Sequence, residues 1–270
     1  MAECAGEPCG SSAGWRRLLR HVQPARTPEP LNIGVLKELQ AACDSLGRDL
    51  ETRVVVLQGL GRAFSAGADL KPEPAPAGAP RAAAGWVQRR RGAGAWQRFL
   101  DSWEALPQVT VARVQGWCIG GAMLLAIACD IRVGARDAKF SIPEVALGIP
   151  LTWGGLPRLA REIGLPRTRD LVMTRRVVAA EEALAWGIVT RLEGEDGLDA
   201  ALEVCLAELL AMPAGPLELT KASLAAIGKP ILAMGWADAD LLQWSEREED
   251  RAAAMEAYVR ANVGKRPRPE

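Results

Sequence analysis

Gly120 and Gly121, set between an apolar strand pattern and an apolar helix pattern, constrain this chain more than any other feature. The stretch reads Val109-Thr-Val-Ala-Arg-Val-Gln-Gly116-Trp-Cys-Ile-Gly120-Gly121-Ala-Met-Leu-Leu-Ala-Ile-Ala-Cys-Asp130. The β-branched run before Gly116 predicts a buried strand, and the apolar run after Gly121 predicts a buried helix. A glycine turn between them leaves backbone N–H groups unbonded at the positive end of a helix dipole. Such a turn suits an anion, or an oxygen that gains negative charge during a reaction. Close helix–strand packing is the alternative reason for glycine at these positions.

The remaining pattern is α/β. Ile33 to Leu46 has helical spacing through Val35, Leu36, Leu39, Ala42 and Cys43. Arg53-Val-Val-Val-Leu-Gln-Gly59 reads as a buried strand, and the glycine-rich loop 59–70 follows it. Lys71 to Gly94 is rich in Pro, Ala, Gly and Arg and is expected to be a long, mobile loop with at most partial helix. A helix is expected over 96–106, short strands at 130–133, 139–142 and near 188–191, and mainly helix from Gly155 onward. Trp236 to Val263 has the length for one amphipathic tail helix. Residues 1–30 are poorly patterned and show no clean alternating strand. The expected division is therefore a segment 1–30, an α/β core 31–195 and a helical region 196–270.

Charge and composition exclude several classes. Lys+Arg and Asp+Glu stand at 33 each, so no basic excess points to nucleic acid or an anionic membrane. No apolar run reaches the roughly 18 residues of a membrane span. The six cysteines contain no C-x-x-C pair, and reduced thiols without structural zinc are expected. His21 is the only histidine, so a Ser-His-Asp or Cys-His mechanism would have to run through it, and no G-x-S-x-G elbow is present. No metal site is expected. Without a signal-peptide core the chain is expected in the cytoplasm, with an organelle matrix as the alternative.

Several motifs in order resemble the crotonase (enoyl-CoA hydratase/isomerase) superfamily. They are Ala63-Phe-Ser-Ala66-Gly-Ala68-Asp69-Leu70-Lys71, Val114-Gln-Gly-Trp-Cys-Ile-Gly-Gly-Ala, Ala128-Cys-Asp-Ile131, Lys139-Phe-Ser-Ile-Pro-Glu144-Val-Ala-Leu-Gly148 and Gly154-Gly-Leu-Pro-Arg-Leu159. The match continues through Ala179-Ala-Glu-Glu-Ala-Leu-Ala-Trp-Gly187 and the tail Ser245 to Tyr258, and covers roughly 31–262. The resemblance implies a spiral of β-β-α units with a C-terminal α-helical trimerisation region, in homotrimers or dimers of trimers. It implies an acyl-CoA thioester substrate and no cofactor beyond that CoA.

It also assigns roles. The oxyanion donors would be the N–H groups of Ala68 and Gly121, and Glu144 the acid/base. Ala66 and Leu70 would lie near the adenosine end. Lys71 is either a phosphate ligand or a solvated lysine, and Asp69 either a site residue or a helix cap. Gly120 permits close substrate approach. Hydratases of the family carry a second glutamate where this chain has Leu124, and dienoyl isomerases an aspartate where it has Thr152. Trp153 either narrows the acyl pocket or packs in the core. Trp86 and Trp96 are candidates for one pocket wall. Lys265 and Arg266 are candidates for a neighbour's CoA phosphates.

A lone glutamate suits a 1,3-proton shift, since one group takes and returns the same proton. The leading expectation is thus a Δ3,Δ2-enoyl-CoA isomerase-type reaction. A hydratase, or an acyl-CoA decarboxylase, is the alternative within the same enolate chemistry. A non-catalytic acyl-CoA-binding or scaffold relative is the alternative of another class.

Overall fold

The computed structural model describes residues 19–22, 31–68, 85–194, 197–245 and 250–262. Five strands form a parallel sheet: β1 (Leu19–Val22), β2 (Val54–Gln58), β3 (Val109–Val114), β5 (Ile131–Gly134) and β8 (Arg191–Leu192), in the order β1-β2-β3-β5-β8. A second sheet has the order β4-β6-β7, with β4 (Trp117–Ile119) parallel to β6 (Lys139–Ser141) and β7 (Val178–Ala179) antiparallel to it.

The strand side chains explain why the parallel sheet lies inside. Val55, Leu57, Ala112 and Val114 join one apolar cluster, while Val54, Val56 and Val111 join another. Successive residues of a strand point to opposite faces, so both faces of β2 and β3 must be covered. The first face is covered by α1 (Ile33–Leu46), α3 (Ala95–Glu104), α4 (Gly121–Ile127) and part of α5 (Gly155–Thr174). The short α2 (Trp86–Ala93) precedes α3 and buries none of its residues. Asn32 caps α1 by accepting the Val35 N–H at 3.0 Å, and Val35, Leu36, Leu39, Cys43 and Leu46 form its buried stripe. The second face is covered by α7 (Gly197–Ala211) through Leu198, Leu202, Cys205 and Leu206. Between α5 and α7, α6 (Ala180–Trp186) buries Ala180 and Ala183.

Ion pairs made by buried cations tie these layers. Arg158 of α5, 1% exposed, reaches Asp101 and Glu104 of α3, each at 2.7 Å. Lys221 of α8 (Ala214–Leu232) meets the Asp130 carboxylate and the Gln108 carbonyl, both at 2.7 Å. Asp130 in turn accepts from the Thr110 N–H and hydroxyl. This polar knot holds α8 against the root of β3.

The predicted strands and helices of the core are present within a few residues. Two findings differ. The segment read as unpatterned contains β1, which pairs with β2 over Leu19 to Val22. Here partner backbone on one edge, rather than alternation within four residues, defines the strand. The glycine turn after β3 also holds β4, whose three residues pair with β6. The tail contains a 3-10 turn at Ala233–Ala237, then α9 (Asp238–Ser245) and α10 (Asp250–Asn262). Residues 246–249, Lys265 and Arg266 lie outside the described residues. Among the described residues no single helix is long and apolar enough to cross a membrane.

Candidate active site

The loop after β2 and the turn after β3 meet through their backbones. Ser65 N–H donates to the Trp117 carbonyl at 3.1 Å, and Ile119 N–H to the Ser65 carbonyl at 3.2 Å. The Gly67 carbonyl accepts from Leu31 N–H at 2.7 Å. Gly67 has φ +88°, and a β-carbon there would stand 2.5 Å from the Ile119 carbonyl oxygen. Glycine at 67 is thus what lets the chain bearing Ala66 and Ala68 lie against the approach to Gly120. Asp69, Leu70 and Lys71 lie outside the described residues.

Gly120 turns the chain from β4 into α4 with φ +56°. Its N–H donates to the Ser141 carbonyl at 2.8 Å, and its carbonyl accepts from Met123 N–H at 2.9 Å. Gly121 opens α4, where no intrahelical acceptor exists for its N–H. Neither the Ala68 nor the Gly121 N–H has an acceptor among the described residues. An unbonded amide at a helix N-terminus favours an oxygen that gains negative charge.

The two glycines face different groups. A β-carbon on Gly120 would lie 2.7 Å from Oε1 of Glu144, and one on Gly121 would overlap Cζ3 of the Trp153 indole. Glu144 opens a 3-10 turn, Glu144–Leu147, directly after β6 and Pro143. Glu144 is half-buried as a residue, but its Oε2 is inaccessible and has no hydrogen-bond partner among the described residues. Burial pushes the carboxyl up from 4.5 to about 7, opposed in part by its own backbone N–H. A carboxyl poised near neutrality exchanges a proton readily in either direction.

Leu124 lies one turn into α4 and is 1% exposed, its Cδ1 2.9 Å from where a β-carbon on Gly155 would stand. Thr152 is buried. Trp153 stacks on Trp96, with centroids 4.6 Å apart and planes at 15°. Trp96 thus sits beside the turn, whereas Trp86 is exposed and lies under the Arg90 guanidinium at 5.8 Å.

Tyr258 was not singled out for a role in the sequence. α10 packs across the Glu144 turn: a β-carbon on Gly148 would lie 3.0 Å from Arg251 Cα and 3.3 Å from Ala254 Cβ. Tyr258 is one helical turn further along that face. Burial raises its phenol, the Arg175 charge opposes this, and the Glu144 charge adds to it. The signal that finds it is the 251/254/258 spacing ending on the only tyrosine of the chain.

Comparison with known proteins identifies the family. The family model described as enoyl-CoA hydratase/isomerase matches residues 26–263. A Bacillus subtilis (strain 168) protein named "Probable enoyl-CoA hydratase" is 33% identical over 170 residues, 63% of this chain and 62% of that protein. The human mitochondrial Delta(3,5)-Delta(2,4)-dienoyl-CoA isomerase is 35% identical over 213 residues, 76% of this chain and 64% of that protein. The matched stretch therefore spans somewhat under two thirds of these relatives. The crystal structure of enoyl-CoA hydratase from Bacillus halodurans superposes with a TM-score of 0.77 at 21% identity, covering 88% of this chain and 95% of that one. With the family pattern matched over residues 26–263 and the crotonase fold reproduced, the chain belongs to the enoyl-CoA hydratase/isomerase family.

Proposed function

We propose that this protein is an acyl-CoA enzyme that stabilises a thioester enolate and moves a proton with Glu144 alone, as in a Δ3,Δ2-enoyl-CoA isomerase. The observation that carries this reading is one desolvated carboxyl against the two-glycine turn, with Leu124 where a second acid would stand. The thioester oxygen sits between the N–H groups of Ala68 and Gly121. The Glu144 carboxylate takes a proton from the carbon next to the carbonyl. The C–H electron pair delocalises onto the oxygen, where each preorganised donor contributes about 2.7–4 kcal/mol. The same carboxyl then returns the proton to the γ-carbon, and the double bond shifts into conjugation. Atoms and electrons balance without a cofactor beyond the CoA that the substrate carries.

Hydration is the second reading, favoured by the names of several relatives. It needs a group to orient water, which Leu124 cannot do. Incubation with a 3-enoyl-CoA in deuterated water separates the two. The isomerase reading expects a 2-enoyl product, loss of at least about 100-fold in kcat for Glu144→Gln, and little hydration of crotonyl-CoA. Sustained hydration, or isomerisation unaffected by Glu144→Gln, overturns it.

A homotrimer or a dimer of trimers is the proposed assembly. What supports it is the solvent-exposed stripe Leu224, Ile227 and Ile231 along α8. Such a face at helical spacing is stabilised by burial against another copy.

A further inference from the structure

Trp153 and Arg175 are the non-glycine residues with positive φ among the described residues, and Trp153 stands at +61°. A bulky side chain rarely takes that conformation unless its surroundings hold it there. Here they do. The Trp153 carbonyl accepts from the buried Arg158 guanidinium at 3.0 Å, and the next N–H, of Gly154, donates to Asp238 at 2.7 Å. Arg158 is itself fastened by Asp101 and Glu104. The backbone is thus locked so that the indole lies against Gly121. Behind it stands Trp96, 6% exposed, stacked at 4.6 Å and packed edge-on to Phe99 at 6.0 Å. The wall is therefore three rings deep and anchored in the core.

The wall and the carboxyl flank the same dipeptide. Glu144 faces Gly120 and the indole faces Gly121. An acyl group whose oxygen rests on the Gly121 N–H has the acid/base on one side and rigid aromatic carbon on the other. Resting on the acyl-CoA reading above, we propose that the Trp153–Trp96 stack sets acyl length, admitting short acyl thioesters such as butyryl and crotonyl and excluding medium and long chains.

Calorimetric titration of free CoA, butyryl-CoA and octanoyl-CoA tests this without requiring turnover. Wild-type protein is expected to bind butyryl-CoA at least about tenfold more tightly than octanoyl-CoA. Trp153→Gly removes the ring and keeps a residue at ease at φ +61°, so the affinity for octanoyl-CoA relative to butyryl-CoA should rise at least about tenfold. Trp96→Leu removes the stacking partner, retains apolar volume and should move the ratio the same way. Equal wild-type affinity for the two thioesters overturns the proposal, as does an unchanged ratio in both variants with native circular dichroism. Absence of binding to CoA and both thioesters overturns it together with the acyl-CoA reading. Length selectivity as expected with no conversion of a short 3-enoyl-CoA upholds the proposal and refutes the isomerase reading alone.

Discussion

Glu144→Gln should make the protein more stable above neutral pH. In the folded chain the carboxyl is raised by burial from 4.5 to about 7. The folded state therefore holds a proton that the unfolded chain releases between those values. Its stabilising contribution is complete below about 4.5 and is lost as pH rises through about 7. A rise from 4.5 to about 7 makes the wild type lose about 3 kcal/mol relative to a neutral isostere. Glutamine keeps the shape and never ionises, so the difference between the two proteins isolates this group. Urea unfolding of both, at several pH values across the window, should show near-equal stability at the acid end. The glutamine variant should lead by about 3 kcal/mol on the alkaline side. In the same window, kcat/KM of the wild type for a 3-enoyl-CoA should rise about tenfold per pH unit below about 7 and level off above it. A stability difference that stays flat with pH, or that favours the wild type at high pH, refutes the desolvated-carboxyl argument.

Two further changes probe the frame around the site. Gly67→Ala places a β-carbon 2.5 Å from the Ile119 carbonyl at φ +88°, and should cost at least about 2 kcal/mol in thermal or urea unfolding and disturb the Ala68 donor. An unchanged melting point would mean the two loops are not in backbone contact. Lys221→Ala removes the donor to Asp130 and the Gln108 carbonyl and should cost about 2 kcal/mol, with faster proteolysis within α8 than elsewhere. Equal stability of this variant would show that the polar knot does not hold α8.

Much of the frame was legible because its elements are coded locally. The apolar runs at 54–57, 109–114 and 121–127 leave few alternatives to buried strands and a buried helix, and each is found there. β1, β4 and β7 were hidden because two to four residues carry no readable period, and only a partner strand makes them strands. At the site, Gly120, Gly121 and Glu144 stand out by motif, and the structure brings them together. The motif is silent on which of two open readings Trp153 follows. Its indole is placed by Arg158 and Asp238, 5 and 85 residues away in the chain. Tyr258 reaches the Glu144 turn only because α10 folds back across it.

Residue order alone determined the α/β class, the two-glycine turn and the lone glutamate, since backbone permissiveness and hydrophobic period act over neighbouring residues. The proton affinity of Glu144 and the aromatic wall on Gly121 were decided only in three dimensions. Both depend on how completely distant segments exclude water and occupy space, and no local pattern encodes that.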